Sequence, residues 1–575
     1  MKLGDRTGRG VADWDSRLLV DRQPEGAFVM HLPEARCRSA DSPRPSFRPL
    51  LLGLFALLVL PLLVACSGQT TTEQRAPFRI LSGSENQSLA PIVQRFADDA
   101  GTPITIEYAG SVDIMLALEQ GAAEYDAVWP ANSIWIALGD RQRLVTSEQS
   151  IMRSPVVLGV KRSVAERLGW IDTEVRVADL LAAAEAGDFR FMMTSASQSN
   201  SGASAYFGFL YAFAGSPPVL TADHLRDPAV GERVRRILGT VDRSSGSSGW
   251  LKDLFLERYD EFDAMVNYES LLIETNRELL ETGREPLYAV YLVDGLAIAD
   301  SPLGYVNHGD TAKEDLFGRL QQFLLAEEAQ REIAGLGRRT GLVGIVPAAP
   351  DRGVFNPDWG IDLDRLLTPI RFPQADVVRQ ALDLYQTAFR KPSFTVFCLD
   401  FSGSMEGVGE ADLTQAMATL LDQSLARTFF LQGSPDDITV VIPFNQAPIA
   451  TWTVRGNDPA ALDALLRQVT DLQAGGETNI YNPVAAGLAI MAKEGIADHS
   501  PAVILMTDGQ SNQGSFTALQ RQIAKLGLAD IPIYAITFGE ASEDQLKEIT
   551  AASSGRIFDG NENLVDAFRD AKGYN

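Results

Sequence analysis

The stretch FTVFCLDFSGS, residues 394–404, places six apolar or β-branched residues directly before an acid and two serines. Phe394-Thr395-Val396-Phe397-Cys398-Leu399 reads as a short strand of a parallel sheet, buried on both faces. Asp400, Ser402 and Ser404 then lie at its C-terminal end, where open α/β sheets place their sites. A second buried run, Ala502-Val503-Ile504-Leu505-Met506, ends in Thr507-Asp508-Gly509. Between the two, Gly475-Gly476-Glu477-Thr478-Asn479 makes a loop just before a helical stretch. Asp400, Ser402, Ser404, Thr478 and Asp508 offer only hard oxygen atoms, with no His or Cys among them. Such a donor set suits Mg²⁺, Ca²⁺ or Mn²⁺ and is poor for zinc.

Each of these loops alone is an ordinary composition for a turn. Together, and in this order, they resemble the metal-ion-dependent adhesion site of the von Willebrand factor type A (vWA) domain, an Asp-x-Ser-x-Ser loop with a distant Thr and a distant Asp. The resemblance implies a doubly wound, Rossmann-like α/β domain over residues 392–575. It implies that Ser402, Ser404 and Thr478 bind a divalent cation directly, and Asp400 and Asp508 directly or through water. Mg²⁺ is the first expectation, with Mn²⁺ or Ca²⁺ as alternatives. It further implies a protein partner whose Asp or Glu completes the cation's coordination.

At 575 residues the chain is too long for one core, and two or three domains are expected. Fifty Lys and Arg against 75 Asp and Glu leave a net charge of -25, which argues against a nucleic-acid partner. Leu50 to Ala65 is apolar throughout and follows Arg44 and Arg48. It is short for a spanning helix, which needs about 20 apolar residues, and reads as a secretory signal. Its end, Leu63-Val64-Ala65-Cys66-Ser67, resembles the bacterial lipoprotein signal box. That resemblance implies cleavage before Cys66, lipidation of Cys66, and extracytoplasmic anchoring to a membrane. Residues 1–65 are thus an N-terminal segment and signal peptide, with Met30 as a second possible start. Residues 66–77 are polar and Thr-rich and read as a tether. Cys37 would be removed with the signal. Cys398, alone on a buried strand, would act as a small hydrophobe, so no structural disulfide is expected.

From Phe78 the pattern is strand, Ser/Gly turn, helix, repeated. Phe78–Leu81, Ile104–Tyr108 and Tyr125–Trp129 read as strands, with Ser82-Gly83-Ser84 and Ala109-Gly110-Ser111 as the turns. This predicts a parallel α/β sheet. It puts Ser84 and Ser111 near helix N-termini, where free N–H groups favour anions. The order resembles bacterial extracellular solute-binding proteins, nearest the molybdate and sulfate binders, over residues 78–391. That resemblance implies a two-lobed, periplasmic-binding-protein-like domain with a small solute or oxyanion in its cleft. Ser84, Ser111, Ser195 and Ser201 are the candidate ligand contacts. The loop Ser244–Trp250 and the run Asn267-Tyr268-Glu269 are further candidates. Phe372 to Arg390 reads as an amphipathic closing helix, and Lys391-Pro392-Ser393 is too short to be a flexible linker.

The four His residues, 31, 224, 308 and 499, are scattered, and there is no Walker loop, Gly-x-Ser-x-Gly or His-Glu-x-x-His. No enzyme is expected. The expected protein is a lipid-anchored binding protein that joins a solute cleft to a cation-dependent docking surface. The alternatives are the receptor subunit of an ABC-type transporter, an adhesion or assembly scaffold without a solute, and, last, a hydrolase.

Overall fold

The computed structural model describes residues 76–341, 351–537, 539, 543–553, 555–561 and 564–573. Met30, Cys37, the apolar run 50–65, Cys66 and most of the tether lie outside the described residues. Among the described residues no helix is long and apolar enough to cross a membrane.

Three sheets organise the chain. In the first, the strand Phe78–Gly83 lies between Ile104–Ala109 and Ala127–Trp129, all parallel, as the alternating pattern requires. Pro302–Val306 and Val145–Ser150 then extend this sheet in antiparallel pairings. The second sheet runs Ile298–Ala299, Ser154–Lys161, Ala264–Tyr268, Phe191–Thr194 and Val241–Ser245, with Leu287–Val290 also paired to Ser154–Lys161. The chain therefore crosses from first sheet to second between Ser150 and Ser154. It returns between Ala299 and Pro302. These two short crossings make two lobes with a cleft between them.

The third sheet has the order Trp452–Arg455, Ile438–Phe444, Ser393–Asp400, Ser500–Thr507, Ile533–Thr537, Ile557–Asp559. Only the edge strand Trp452–Arg455 is antiparallel. Ser393–Asp400 is buried at every position, which explains its near-continuous apolar sequence. Cys398 sits in it as a free, buried thiol, pushed well above its usual range by burial. The fold is thus mixed α/β, a two-lobed part followed by a doubly wound part.

Two elements differ from their sequence reading. Ser84 opens a six-residue 3-10 turn, Ser84–Leu89, and the α-helix Ala90–Ala100 begins only afterwards. Pro91, which lacks an N–H, suits that first helical turn. The closing helix starts at Ala375. Pro373 disfavours α geometry at Phe372, and the helix ends in a wider π turn, Tyr385–Phe389.

Residues 74–575 form one compact unit. Arg390 makes a double hydrogen bond to Asp437, at 3.0 and 2.6 Å, and the Ser393 N–H donates to the same carboxylate at 2.7 Å. Phe430, held at a φ of 54°, joins the apolar cluster built mainly from the second lobe. A buried ring here substitutes for linker length in fixing the two parts against each other.

Candidate functional site

In the third sheet the loops after Ser393–Asp400 and Ser500–Thr507 meet, because these strands are parallel neighbours and end together. Asp400 is fully buried. Its Oδ1 accepts the Ser402 N–H at 2.8 Å and its Oδ2 accepts the Thr507 hydroxyl at 2.6 Å, so the acid shapes the loop from below. Ser402 and Ser404 bring their Oγ atoms to 3.2 Å, and Ser404 Oγ donates to Asp508 Oδ1 at 2.9 Å. Ser402 is buried and Ser404 exposed, so the chain of oxygens runs from interior to surface.

Thr478 belongs to a neighbouring loop stitched onto the first. Gly403 N–H donates to Gly476 O at 3.0 Å and Gly475 N–H donates to Phe401 O at 2.9 Å. Gly476 adopts a φ of 91°, a conformation that favours glycine. Thr478 N–H donates to Asn512 Oδ1 at 3.2 Å, which ties this loop to the segment after Asp508. Among the described residues no hydrogen bond joins the Thr478 hydroxyl to the other four side chains. The structure therefore gathers Asp400, Ser402, Ser404 and Asp508 in one network and sets Thr478 in the adjoining loop. Thr507 and Asn445, whose amide holds Gly475 O at 2.9 Å, are supporting residues that the motif does not single out.

Burial raises the pKa of Asp400, against the pull of its Thr507 and Ser402 hydrogen bonds, and the Asp508 charge adds to the rise. Burial also raises Asp508, against its bond from Ser404. Two desolvated carboxylates beside two hydroxyls, with Thr478 in the adjoining loop, fit a hard divalent cation, whose charge would offset both. Asp400, Ser402, Ser404, Thr478 and Asp508 are the residues that would hold it. Among the described residues no three His, Cys, Asp or Glu side chains cluster as a metal site. The candidate set escapes that pattern because three of its five members are hydroxyls.

In the two-lobed part the four predicted serines bond within the chain, and of these Ser84 bonds from one lobe to the other. Ser84 Oγ accepts from Ser247 Oγ at 2.8 Å and from the Gly249 N–H at 3.3 Å, across the cleft. Ser111 Oγ accepts the Ala131 N–H at 3.0 Å. The next N–H of that helix, on Val112, donates to Gln198 O at 3.0 Å, again across the cleft. A Cβ at position 110 would collide with that carbonyl, so the glycine permits the close approach. Ser201 Oγ lies 2.8 Å from Thr194 Oγ1 and 2.7 Å from Ser248 Oγ, and Ser195 Oγ lies 3.1 Å from Ser197 Oγ. All four predicted serines are buried. Trp135, in the first lobe, donates to Asn200 Oδ1 at 2.8 Å in the second.

The later candidates divide similarly. Asn267 donates to Ser248 O at 3.0 Å, and Glu269 is fully buried in a double bond with Arg339 at 2.8 and 2.7 Å. Between the lobes Glu85, Tyr268 and Arg338 line a small cavity of about 10 Å³. Glu85 Oε1 is buried there with no hydrogen-bond partner. Burial pushes its carboxyl up to about 7, against its backbone hydrogen bond and the Arg338 charge.

One residue reaches the cleft from the third sheet's part. Arg569, on the helix Leu564–Gly573, is 2% exposed. Its guanidinium pairs with Asp113, at the start of the Ser111 helix, and donates to Phe429 O at 3.0 Å. The Gln198 side-chain amide donates to Arg569 O. Arg569 thus touches the first lobe through Asp113 and the second through Gln198. Nothing local in the sequence marks it, since its partner lies 456 positions away.

Residues 79–339 match the family described as bacterial extracellular solute-binding protein, and residues 395–569 match the von Willebrand factor type A domain. No curated protein matches the chain. Among solved structures, the periplasmic binding protein AfuA from Actinobacillus pleuropneumoniae is similar at 12% identity and a TM-score of 0.41, over 53% of this chain and 96% of that one. A ferric binding protein from Campylobacter jejuni is similar at 13% identity and a TM-score of 0.36, over 54% of this chain and 98% of that one. A von Willebrand factor type A protein from Catenulispora acidiphila is similar at 19% identity and a TM-score of 0.26, over 32% of this chain and 42% of that one. A solute-binding domain of the bacterial extracellular type is here fused to a von Willebrand factor type A domain.

Proposed function

We propose that this is an extracytoplasmic, lipid-anchored binding protein whose vWA domain docks a protein partner through a divalent cation. The observation that carries this reading is the oxygen chain Ser402–Ser404–Asp508, which rises from the buried Asp400 to the exposed Ser404. Mg²⁺ holds near-octahedral oxygen ligands and keeps water where protein ligands are missing. A partner carboxylate that displaced such water would complete the set. The work done is recognition; no residue is assigned to chemistry. The anchor rests on the Leu63–Cys66 box, which labelled palmitate incorporation in wild type and Cys66→Ala would test.

The test of the docking site is calorimetry of Mg²⁺ and Mn²⁺ binding to wild type and Asp400→Ala. Binding in wild type and its loss in a variant that keeps its circular dichroism supports the site. Equal affinity in both would overturn it.

A second reading has its own support. The cleft serines are spent on one another and on bonds between lobes, which favours an assembly scaffold over a solute receptor. A thermal-shift screen of oxyanions, sugars and amino acids separates the two. A ligand at 100 times its Kd adds about 2.7 kcal/mol, so a receptor would show a clear rise in Tm and a scaffold none.

A further inference from the structure

A cavity of about 70 Å³ lies where the two domains meet, away from the metal loops and bordering the cleft through Gln198 and Arg569. Ser197 and Ser244 come from the solute-binding domain, Arg390 from the connecting turn, and Ser500, Arg569 and Lys572 from the vWA domain. Among the described residues no Asp or Glu lines it.

Four cations line it, Arg390, Lys391, Arg569 and Lys572, and three of them differ in how they are paired. Arg390 is neutralised by Asp437 and also donates to Gln386 Oε1 at 2.9 Å. Arg569 is neutralised by Asp113. Lys572 has one hydrogen bond, Nζ to Leu431 O at 2.6 Å, and among the described residues no carboxylate lies within ion-pair distance of it. An ammonium carries three donors, so two remain for the two cavities that Lys572 lines. Burial and the Arg390 charge push Lys572 down to about 8, against the opposing pull of the Asp437 charge, which lies beyond ion-pair distance. A desolvated charge is stable only when paired, and otherwise neutralises.

We propose that this cavity is a binding site for a small oxyanion, of the size of phosphate or a short carboxylate, held by Lys572 with serine hydroxyls around it. A cavity of this measure takes a water per roughly 10–15 Å³, so a four- or five-atom anion fits. Both domains supply walls, so the anion would bind them together. The site depends neither on the cation reading nor on a solute in the cleft.

The test is titration of inorganic phosphate into the intact protein, wild type and Lys572→Met, by calorimetry and thermal shift. The expected result is binding with a raised Tm in wild type and at least tenfold weaker affinity in Lys572→Met. Crystals of the wild type soaked in arsenate, an anomalous scatterer of the same shape, should show a peak beside Lys572, a result that does not depend on the variant folding. Absence of phosphate binding, equal affinity in the variant, or an arsenate peak only between the lobes beside Ser111 would each overturn the proposal.

Discussion

Two serine-rich loops, Thr194–Gly202 and Asp400–Ser404, have similar composition and the same position, just after a buried strand, yet end in opposite states. In the first, the hydroxyls of Thr194, Ser199, Ser201 and Ser248 bond one another at 2.7 to 3.4 Å, all buried, with no carboxylate among them. In the second, two hydroxyls lead to Asp508 and the outermost is exposed. A buried hydroxyl with neutral partners has its hydrogen bonds spent inside the fold. A hydroxyl next to a carboxylate at the surface keeps oxygen lone pairs for a cation. The difference lies in which charged side chain shares the loop, not in the number of serines.

The largest effect should come from the contact that lays the vWA domain on the first loop. Arg569 is buried against Asp113 and is held through its carbonyl by Gln198, inside that loop. Removing one partner of a buried pair costs about 3–5 kcal/mol, because the other charge is left uncompensated. Arg569→Met should lose that much in denaturant unfolding, and Asp113→Asn in the same chain should recover part of it. A double-mutant cycle measures this coupling. Strict additivity would mean that the two side chains do not act together and that the loop is closed without help from the vWA domain.

The second prediction sets one serine of each loop against the other. Ser201→Ala takes one buried bond from Thr194, which keeps the Gly202 N–H, and one from Ser248, which keeps Ser199 Oγ, at a cost of about 0.5–1.5 kcal/mol per bond. Ser404 is exposed, and surface changes usually stay within about 0.5 kcal/mol. Ser404→Ala should therefore leave the melting curve in place and weaken Mg²⁺ binding at least tenfold, while Ser201→Ala should lower Tm and leave Mg²⁺ affinity alone. If both variants destabilise equally and neither changes Mg²⁺ affinity, the contrast between the loops fails.

Much of this was legible before any coordinates. Buried parallel strands are apolar runs, so Phe394–Leu399 and Ala502–Met506 announce themselves, and the residues that follow must lie at one sheet edge. Their ends grow by one or two residues, to Ser393–Asp400 and Ser500–Thr507, because ladder hydrogen bonds continue past the apolar core. The buried setting of the candidate serines follows from their place just after apolar strands. That they bond one another was not legible, because a serine's partner 47 or 163 positions away leaves no local trace. The same holds for Phe430, which reads as part of the vWA domain and packs with the apolar core of its neighbour.

The smallest expected effect carries the comparison from hydroxyls to carboxylates. Asp508 receives Ser404; Glu85, at the cleft, keeps one buried oxygen with no partner. Its carboxyl is pushed up to about 7, from an unfolded value of about 4.3. The folded state thus holds this proton more tightly than the unfolded chain. The resulting stability is fully present below the unfolded value and is lost as pH rises through about 7. Glu85→Gln keeps the shape without the charge. It should be near neutral at pH 5 and more stable than wild type at pH 8, by on the order of 1–3 kcal/mol for an unpaired buried group. Urea unfolding of both chains at the two pH values checks this. A difference that is the same at pH 5 and pH 8 would mean that Glu85 is solvated, and that the cleft is more open than its hydroxyl bonds describe.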